Sequence, residues 1–238
     1  LSIRRQRQMC IRDSLKDPAG VNLARYVVRC ALPAGRRIKA KRWDGLSVQL
    51  NGELGFAPEW QTKQCGADCQ EKVSACLMAL VNGSGKRVPI EMSAGWGSGD
   101  LGQTPSPDYL REAVFFGNIF KSPPQAYVAM ERDWVRSLEG RTDVLTIPIA
   151  RMCTGYMEQG DDYLAQVQKC PIKIVGQAGH ESFYLKNGDG GWVWEDNYDL
   201  CYNDPDLEFT QALACTPLWG SNEWFRFPIN TFVWEPTW

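Results

Sequence analysis

The first orderly hydrophobic pattern in this chain has the period of an α-helix. Leu23, Tyr26 and Cys30 follow one another at spacings of three and four residues, which places them on one face of a helix. Asn22, directly before them, is a residue type that caps helix starts. We therefore predict a first helix that begins near Asn22 and turns Cys30 towards the core.

A second and stronger helical pattern covers residues 68–81. Cys69, Val73 and Cys76 recur on its apolar face at spacings of four and three residues. Asp68 and Glu71 have the spacing of a capping box, with Asp in the place that Ser or Thr usually takes. The pattern predicts a helix that begins after Asp68 and packs against the first helix.

Between the two helices the period changes to that of short strands. Residues 37–43 and 46–50 flank Asp44-Gly45, a pair typical of the two-residue loop of a β-hairpin. The segment therefore predicts a hairpin with a two-residue loop.

The C-terminal half contains short apolar runs with the composition of strands, at residues 88–92, 113–120, 144–152, 171–176, 181–185 and 192–195. Pro148 favours an edge strand for the third run, because proline cannot donate a hydrogen bond to a neighbouring strand. Helices followed by runs of strands indicate an α+β fold. We expect two packed helices with short hairpins in the N-terminal half and a β-rich C-terminal half, within a single domain over 22–238 whose subdivision, if any, falls near 130–143.

Residues 1–14, LSIRRQRQMCIRDS, do not fit this organisation. They have neither the apolar stretch of a secretory signal peptide nor a helical period, and they resemble translated sequencing-adapter sequence, as found in metagenomic reading frames. We therefore expect residues 1–21 to be a disordered or artefactual arm outside the fold, in place of the native N-terminus.

Five segments occur in a specific order: RYVVRCALPAG (25–35), GELGFAPEW (52–60), CQEKVSACLMALVN (69–82), EAVFFGNIF (112–120) and SPPQAY (122–127). Together they resemble a family of uncharacterised, exported, cysteine-containing bacterial proteins that often carry a lipoprotein-like leader. The resemblance covers about residues 22–128 and assigns no activity. It implies export, a shared domain and a lipid anchor on the missing native N-terminus.

The chain has nine cysteines, which indicates an oxidising compartment. Cys10 lies in the discounted segment, and the eight others fit a paired disulfide framework: Cys30, Cys65, Cys69, Cys76, Cys153, Cys170, Cys201 and Cys215. The number of cysteines does not determine how they pair.

Helix geometry narrows the pairing of the N-terminal cysteines. Cys69 and Cys76 are roughly 10 Å apart along one helix axis, and a disulfide requires Cα atoms within about 7 Å. We therefore favour a Cys30–Cys76 bridge between the two helices. Cys69 would then pair with Cys65 or with a distant cysteine, and the four C-terminal cysteines would supply the remaining bridges.

Charge is unevenly distributed along the chain. The net charge is −2, yet residues 1–42 hold twelve Lys and Arg against two Asp. A basic arm can contact nucleic acid or an anionic surface. However, four of these arginines lie in residues 1–14, and no cationic run is interleaved with aromatics as in single-strand binders. We expect no nucleic-acid partner and, since no run of 18 apolar residues occurs, no transmembrane segment.

Two groups of residues have the chemistry of metal ligands. Cys65 and Cys69 have the spacing of one zinc-ligand pair, but the sequence has no second close pair and His180 has no spaced His partner. Asp196, Asp199 and Asp204 offer oxygen ligands to Ca²⁺. They lack the D-x-D-x-D-G order of a loop site, so a solvated acidic surface is the preferred interpretation and neither a metal nor a cofactor is expected.

Cys69 is also a candidate nucleophile, because the N-terminus of a helix lowers the pKa of a thiol. His180 and then Asn197 follow it in the sequence, a layout that resembles papain-type and NlpC-type cysteine hydrolases. The carboxylates of Asp68 and Glu71 act against a thiolate at this position. A half-cystine is therefore preferred for Cys69, and the hydrolase is kept as the alternative.

Aromatic residues give the remaining functional lead. Trp192 and Trp194 lie two residues apart and would share one face of a strand, where they could grip a sugar or belong to the core. We conclude that the sequence favours an exported, disulfide-stabilised surface or envelope module that binds a glycan or a protein and has no catalytic activity of its own.

Overall fold

The computed structural model describes residues 15–83, 88–94, 109–130, 151–152, 170–177, 183–186, 192–195, 201–203, 212–217 and 222–234. In these ranges the chain has the predicted α+β fold. The N-terminal elements are helix α1 (Pro18–Ala31), strands β1 (Arg37–Lys41) and β2 (Ser47–Asn51), a 3₁₀ turn (Pro58–Gln61) and helix α2 (Ala67–Ala79). No helix of the described part is long and apolar enough to cross a membrane.

The elements that the structure bounds beyond residue 88 are strands, in keeping with the predicted β-rich half. They are β3 (Ile90–Ala94), β4 (Tyr109–Asn118), β5 (Gln125–Met130), β6 (Lys173–Gln177), β7 (Phe183–Lys186), β8 (Trp192–Glu195), β9 (Cys201–Asn203), β10 (Ala212–Cys215) and β11 (Ile229–Trp234). The segment around 130–143, where a subdivision was expected, lies almost wholly outside the described residues.

Helix α1 begins earlier than its hydrophobic pattern predicted. A carboxylate oxygen of Asp17 accepts a hydrogen bond of 2.7 Å from the backbone N–H of Gly20, and Pro18 occupies the first turn. Proline fits there because the first helical N–H groups have no partner within the helix. Since Leu15 is only 2% exposed, residues 15–21 belong to the folded unit, which corrects the expected arm over 1–21 for this stretch.

Helix α2 also begins differently from the prediction. Its N-cap is Gly66, which makes no side-chain cap bond, and Asp68 lies within the first turn. The carboxylate of Glu71 instead accepts a hydrogen bond of 3.2 Å from the backbone N–H of Arg226. The capping-box prediction was wrong: the helix begins before Asp68, and the Glu71 carboxylate accepts from a backbone N–H 155 residues away in the chain.

The β1–β2 hairpin is present, but its loop has three residues rather than two. The backbone N–H of Arg42 donates to the carbonyl of Leu46 over 2.9 Å, which leaves residues 43–45 in the loop. Gly45 has a φ of +78°, the left-handed conformation that closes a three-residue loop. Asp44 accepts a hydrogen bond of 3.1 Å from the backbone N–H of Leu46, which fixes the longer loop.

The largest sheet has five strands in the order β3-β11-β4-β5-β6. Strand β11 is inserted between β3 and β4 and pairs antiparallel with both. Strands β5 and β6 are parallel. This order joins segments far apart in sequence, so the sheet closes only when the C-terminal part of the chain returns.

Both faces of this sheet are covered within the described ranges. One face packs on α2, where Cys76 and Ala79 meet Phe115 of β4 and Ile229 of β11 in one buried cluster. The other face carries a smaller cluster in which Val114 and Phe116 meet Phe225 and the cysteines of β9 and β10. A third cluster joins α1 and α2 to the inner side of the β1–β2 hairpin.

Disulfides connect these layers. Cys30 of α1 is bonded to Cys76 of α2, with Cα atoms 5.9 Å apart, which is the pairing that the helix faces favoured. Both cysteines are fully buried. A second bridge joins Cys201 of β9 to Cys215 of β10, and Cys170 is also disulfide-bonded. Cys153 lies outside the described residues.

A buried ion pair lies where α2 meets the sheet. Arg151 and Glu112 are both fully buried and form two parallel hydrogen bonds of 2.9 and 2.7 Å. The Arg151 guanidinium also donates to the carbonyl oxygens of Ala79 and Val81, over 2.6 and 2.7 Å. These carbonyls belong to the end of α2, where backbone acceptors lack partners within the helix. Arg151 therefore caps the helix and fixes it to β4.

Candidate functional site

The sulfur of Cys69, the candidate nucleophile, is bonded to another cysteine. Cys65 and Cys69 form a disulfide across the start of α2, with Cα atoms 5.1 Å apart. Cys69 is 2% exposed and belongs to the cluster between the two helices. A disulfide sulfur is not a thiolate and does not attack a substrate as one. In this oxidised state, nucleophilic chemistry at Cys69 requires prior reduction of the bridge.

The other residues of the hydrolase alternative lie outside the described part of the chain. His180 and Asn197 fall in the ranges 178–182 and 196–200. The candidate Ca²⁺ ligands Asp196, Asp199 and Asp204 are outside it as well. Within the described ranges, no three His, Cys, Asp or Glu side chains come together as metal ligands.

The two candidate sugar-binding tryptophans lie on strand β8. This strand pairs antiparallel with β7, so that Trp194 is opposite Tyr184 and Trp192 is opposite Lys186. Directly opposed residues belong to the same face of an antiparallel pair. The register therefore pairs both tryptophan positions with alternate positions of β7, and pairs Val193 with Leu185 between them.

A second candidate surface is the outer face of the β1–β2 hairpin. Arg37, Lys39 and Lys41 alternate with inward-facing Ile38 and Ala40, and all three cations are exposed. Alternate residues of a strand are separated by about 7 Å, so the cations form a straight row.

The strand opposite this row brings no negative charge to it. The residues of β2 paired with the three cations are Asn51, Gln49 and Ser47. Acidic groups of the N-terminal half are engaged elsewhere, since Glu53 pairs with Arg29 and Glu59 with Lys72. Among the described residues, no salt bridge involves the row, and its positive charge faces solvent.

The tip of the hairpin adds exposed apolar groups at one end of this face. Trp43 is 47% exposed and Leu46 is 61% exposed. The Arg42 guanidinium lies 4.7 Å from the centre of the Trp43 ring and also forms an ion pair with Asp44. The backbone N–H of Trp43 donates to the carbonyl of Leu15 over 3.0 Å, which holds the tip against the segment before α1.

A polar junction beside the start of α2 contains two carboxyl groups with opposite electrostatics. Burial, assisted by the nearby charge of Asp68, raises the pKa of Glu71 above its ordinary value. A hydrogen bond from Gln125 lowers the pKa of Glu223, and Lys121 acts in the same direction. The ionised form is thus disfavoured at Glu71 and favoured at Glu223, which lies 152 positions further along the sequence.

Sequence reasoning missed the Glu112–Arg151 pair. Glu112 directly precedes the apolar run AVFF, and Arg151 ends the run TIPIA, so each is a charge at the end of a core segment. A charged residue at the end of a core segment needs a partner if it is buried. This signal does not reveal that the two residues partner each other, nor that Arg151 and Met152 are helical where a strand was expected.

Comparison of the chain with family models, with curated proteins and with solved structures gives no match. Its class therefore follows from its own features. It is an α+β protein in which disulfides join the two helices, close the start of α2 and link β9 to β10.

Proposed function

We propose that the protein is an exported, disulfide-stabilised module of the cell surface or envelope that binds a glycan or a protein. Seven of its cysteines are in disulfides, and such bonds persist mainly in oxidising compartments outside the cytosol. The resemblance over residues 22–128 supports the same location. Export places the module where extracellular glycans and surface proteins are its available ligands.

The binding part of the proposal rests on the register of β7 and β8. The backbone of Trp194 is opposite Tyr184 and that of Trp192 is opposite Lys186, and from strand alternation we expect these four residues to share one face of the ribbon. Flat aromatic rings present a large, rigid apolar area at a low entropic cost. A face of this kind suits the stacking of sugar rings or the docking of an apolar protein segment.

The test is retention of the full-length, oxidised protein on insoluble polysaccharides such as chitin, cellulose and peptidoglycan sacculi. We expect Trp192→Ala combined with Trp194→Ala to weaken retention at least about tenfold, the effect of losing a hot-spot aromatic. Val193→Ala, on the opposite ribbon face, is the matched control and should bind like the wild type. If the wild-type protein is retained on none of the three polysaccharides, the glycan part of the proposal is refuted.

The same variants show whether the tryptophans form an exposed binding face or belong to the hydrophobic core. If the tryptophans are core residues, each truncation costs about 3–5 kcal/mol of stability, which urea denaturation detects directly. A double variant that binds as weakly as expected but is also destabilised by that amount would count against an exposed binding face.

The cysteine hydrolase is the alternative, and it requires a reduced Cys69 in the first turn of α2, where the structure has a disulfide to Cys65. Alkylation of the denatured, unreduced protein followed by peptide mapping should find no free thiol at Cys69. If Cys69 alone is alkylated rapidly near neutral pH, and His180→Ala slows that reaction, the hydrolase replaces the binding module.

A further inference from the structure

We propose that the outer face and tip of the β1–β2 hairpin dock the protein on an anionic lipid surface. This docking site goes beyond the proposed function, because it is separate from the β7–β8 ribbon and takes a ligand of different chemistry. Two independent properties of the hairpin carry it: a row of cations that has no ion-pair partner among the described residues, and an exposed apolar tip.

The first property is charge complementarity. Arg37, Lys39 and Lys41 point outwards along one strand, and the facing strand is polar but uncharged. An anionic leaflet attracts each nearby Lys or Arg by about fivefold in affinity. Three cations that reach the same plane therefore give roughly 100-fold attraction, while a neutral membrane offers them none.

The second property selects lipid over other polyanions. Trp43 and Leu46 leave about half or more of their surface in water at the end of the row. Tryptophan is favoured at the headgroup level, and an aliphatic side chain gains from entering the acyl boundary. Leu46 offers nothing to a nucleobase or a sugar ring. One face of the Trp43 ring is already occupied by Arg42, which halves its use as a stacking platform.

The hairpin is also rigid enough to act as a unit. Its inner residues Val48 and Leu50 are buried against the helices, and the backbone bond from Trp43 to Leu15 fixes the tip. Because the outward residues make no core contacts, changing them tests docking without disturbing the fold.

The experiment is cosedimentation of the full-length, oxidised protein with vesicles. One set is pure phosphatidylcholine and the other contains about 30% phosphatidylglycerol, at about 0.1 M NaCl. We expect binding to the anionic vesicles only, and its loss as salt rises and shortens the screening length. The triple variant Arg37→Gln, Lys39→Gln, Lys41→Gln should bind roughly 100-fold more weakly.

A matched control removes three exposed cations elsewhere, at Arg25, Lys173 and Arg226, each replaced by Gln. It has the same net charge as the first triple variant and should keep binding within about threefold of the wild type, since charges away from the surface are largely screened. Equal losses in the two variants would show general attraction of a charged protein and would overturn the proposal.

A second variant keeps all three cations. Ser47→Glu with Gln49→Glu sets carboxylates opposite Lys41 and Lys39 by register, where opposite charges attract. This variant should fold at least as well as the wild type and should still lose most vesicle binding. Unchanged binding would contradict docking through this face even if the Gln variant proved unstable.

The tip distinguishes lipid from a soluble polyanion. Trp43→Ala with Leu46→Ala should weaken vesicle binding about tenfold or more, given the apolar area lost. If this variant binds normally while a soluble anionic polysaccharide competes fully with vesicles, the ligand is a polyanionic glycan and the lipid proposal fails. The Trp192→Ala, Trp194→Ala variant should bind vesicles normally, which keeps failure here separate from failure of the proposed function.

Discussion

The strongest test of the fold concerns the buried pair of Glu112 and Arg151. Arg151 makes four hydrogen bonds, two to Glu112 and two to the carbonyls of Ala79 and Val81. Replacing it with Met keeps a long apolar side chain but removes all four. It leaves a buried carboxylate without its partner and two carbonyls at the end of α2 without a donor.

The expected costs differ between the two partners. Removing one member of a buried ion pair costs about 3–5 kcal/mol, so Arg151→Met should lower the free energy of unfolding by that amount. Glu112→Gln keeps one acceptor for Arg151 but loses the second hydrogen bond and the countercharge, so it should cost about 3 kcal/mol, the low end of that range. The double variant contains no orphaned charge, so its cost should fall below the sum of the single costs by up to about 3 kcal/mol.

The assay is urea denaturation at neutral pH without reductant, followed by circular dichroism and fluorescence, whose transitions should coincide. The matched control is Arg29→Met. It breaks the Arg29–Glu53 pair, whose side chains are 39% and 54% exposed, and should cost less than about 1 kcal/mol. If Arg151→Met costs no more than Arg29→Met, or if the single costs simply add, the pair does not support the fold as described.

Two further predictions concern the disulfides and pH. In the chain-entropy description, replacing Cys30 and Cys76, 46 residues apart, with Ser should cost about 4 kcal/mol. Replacing Cys65 and Cys69, only 4 apart, should cost about 2 kcal/mol; denaturation midpoints giving the reverse order would refute this. Because burial raises the pKa of Glu71 above 4.5, the folded state holds this proton more tightly than the unfolded chain, and stability falls as pH rises from about 4.5 through the raised value. Glu71→Gln should therefore gain stability over the wild type across that window, as urea midpoints between about pH 4 and pH 7 would measure, whereas a difference independent of pH would contradict it.

Local signals in the sequence were sufficient where the determining interactions are themselves local. Helical spacing predicted buried positions for Cys30 and Cys76, and the structure bonds them to each other. The same spacing put Leu23 and Tyr26 on the face of Cys30, and this was wrong, because they are 52% and 46% exposed. Alternation in residues 37–41 set the cations on one side of a strand and Ile38 and Ala40 on the other. Such patterns depend on the fixed geometry of a helix or a strand, so they can be read without knowing the rest of the fold.

The candidate sites were predicted less completely, because their partners are distant in sequence. The carboxylate of Glu71 had an evident local role as a cap but binds the backbone of Arg226 instead. Asp17 displaced Asn22 as the start of α1, since Pro18 and the burial of Leu15 extend the helix. Local and long-range hydrogen-bond partners of one group contribute similar free energies, so the packed structure decides which partner it takes.

By itself, then, the sequence determined the α+β class, the two helices, the hairpin and the burial of Cys30 and Cys76. It did not determine the buried face of α1, which consists of Val21, Ala24, Val28, Cys30 and Ala31. Only the tertiary structure decided the strand order β3-β11-β4-β5-β6 and the pairing of Glu112 with Arg151. It also decided that the cations of the first hairpin have no acidic partner among the described residues. Local periodicity fixes the direction in which a side chain points, whereas its partner depends on which segments pack together.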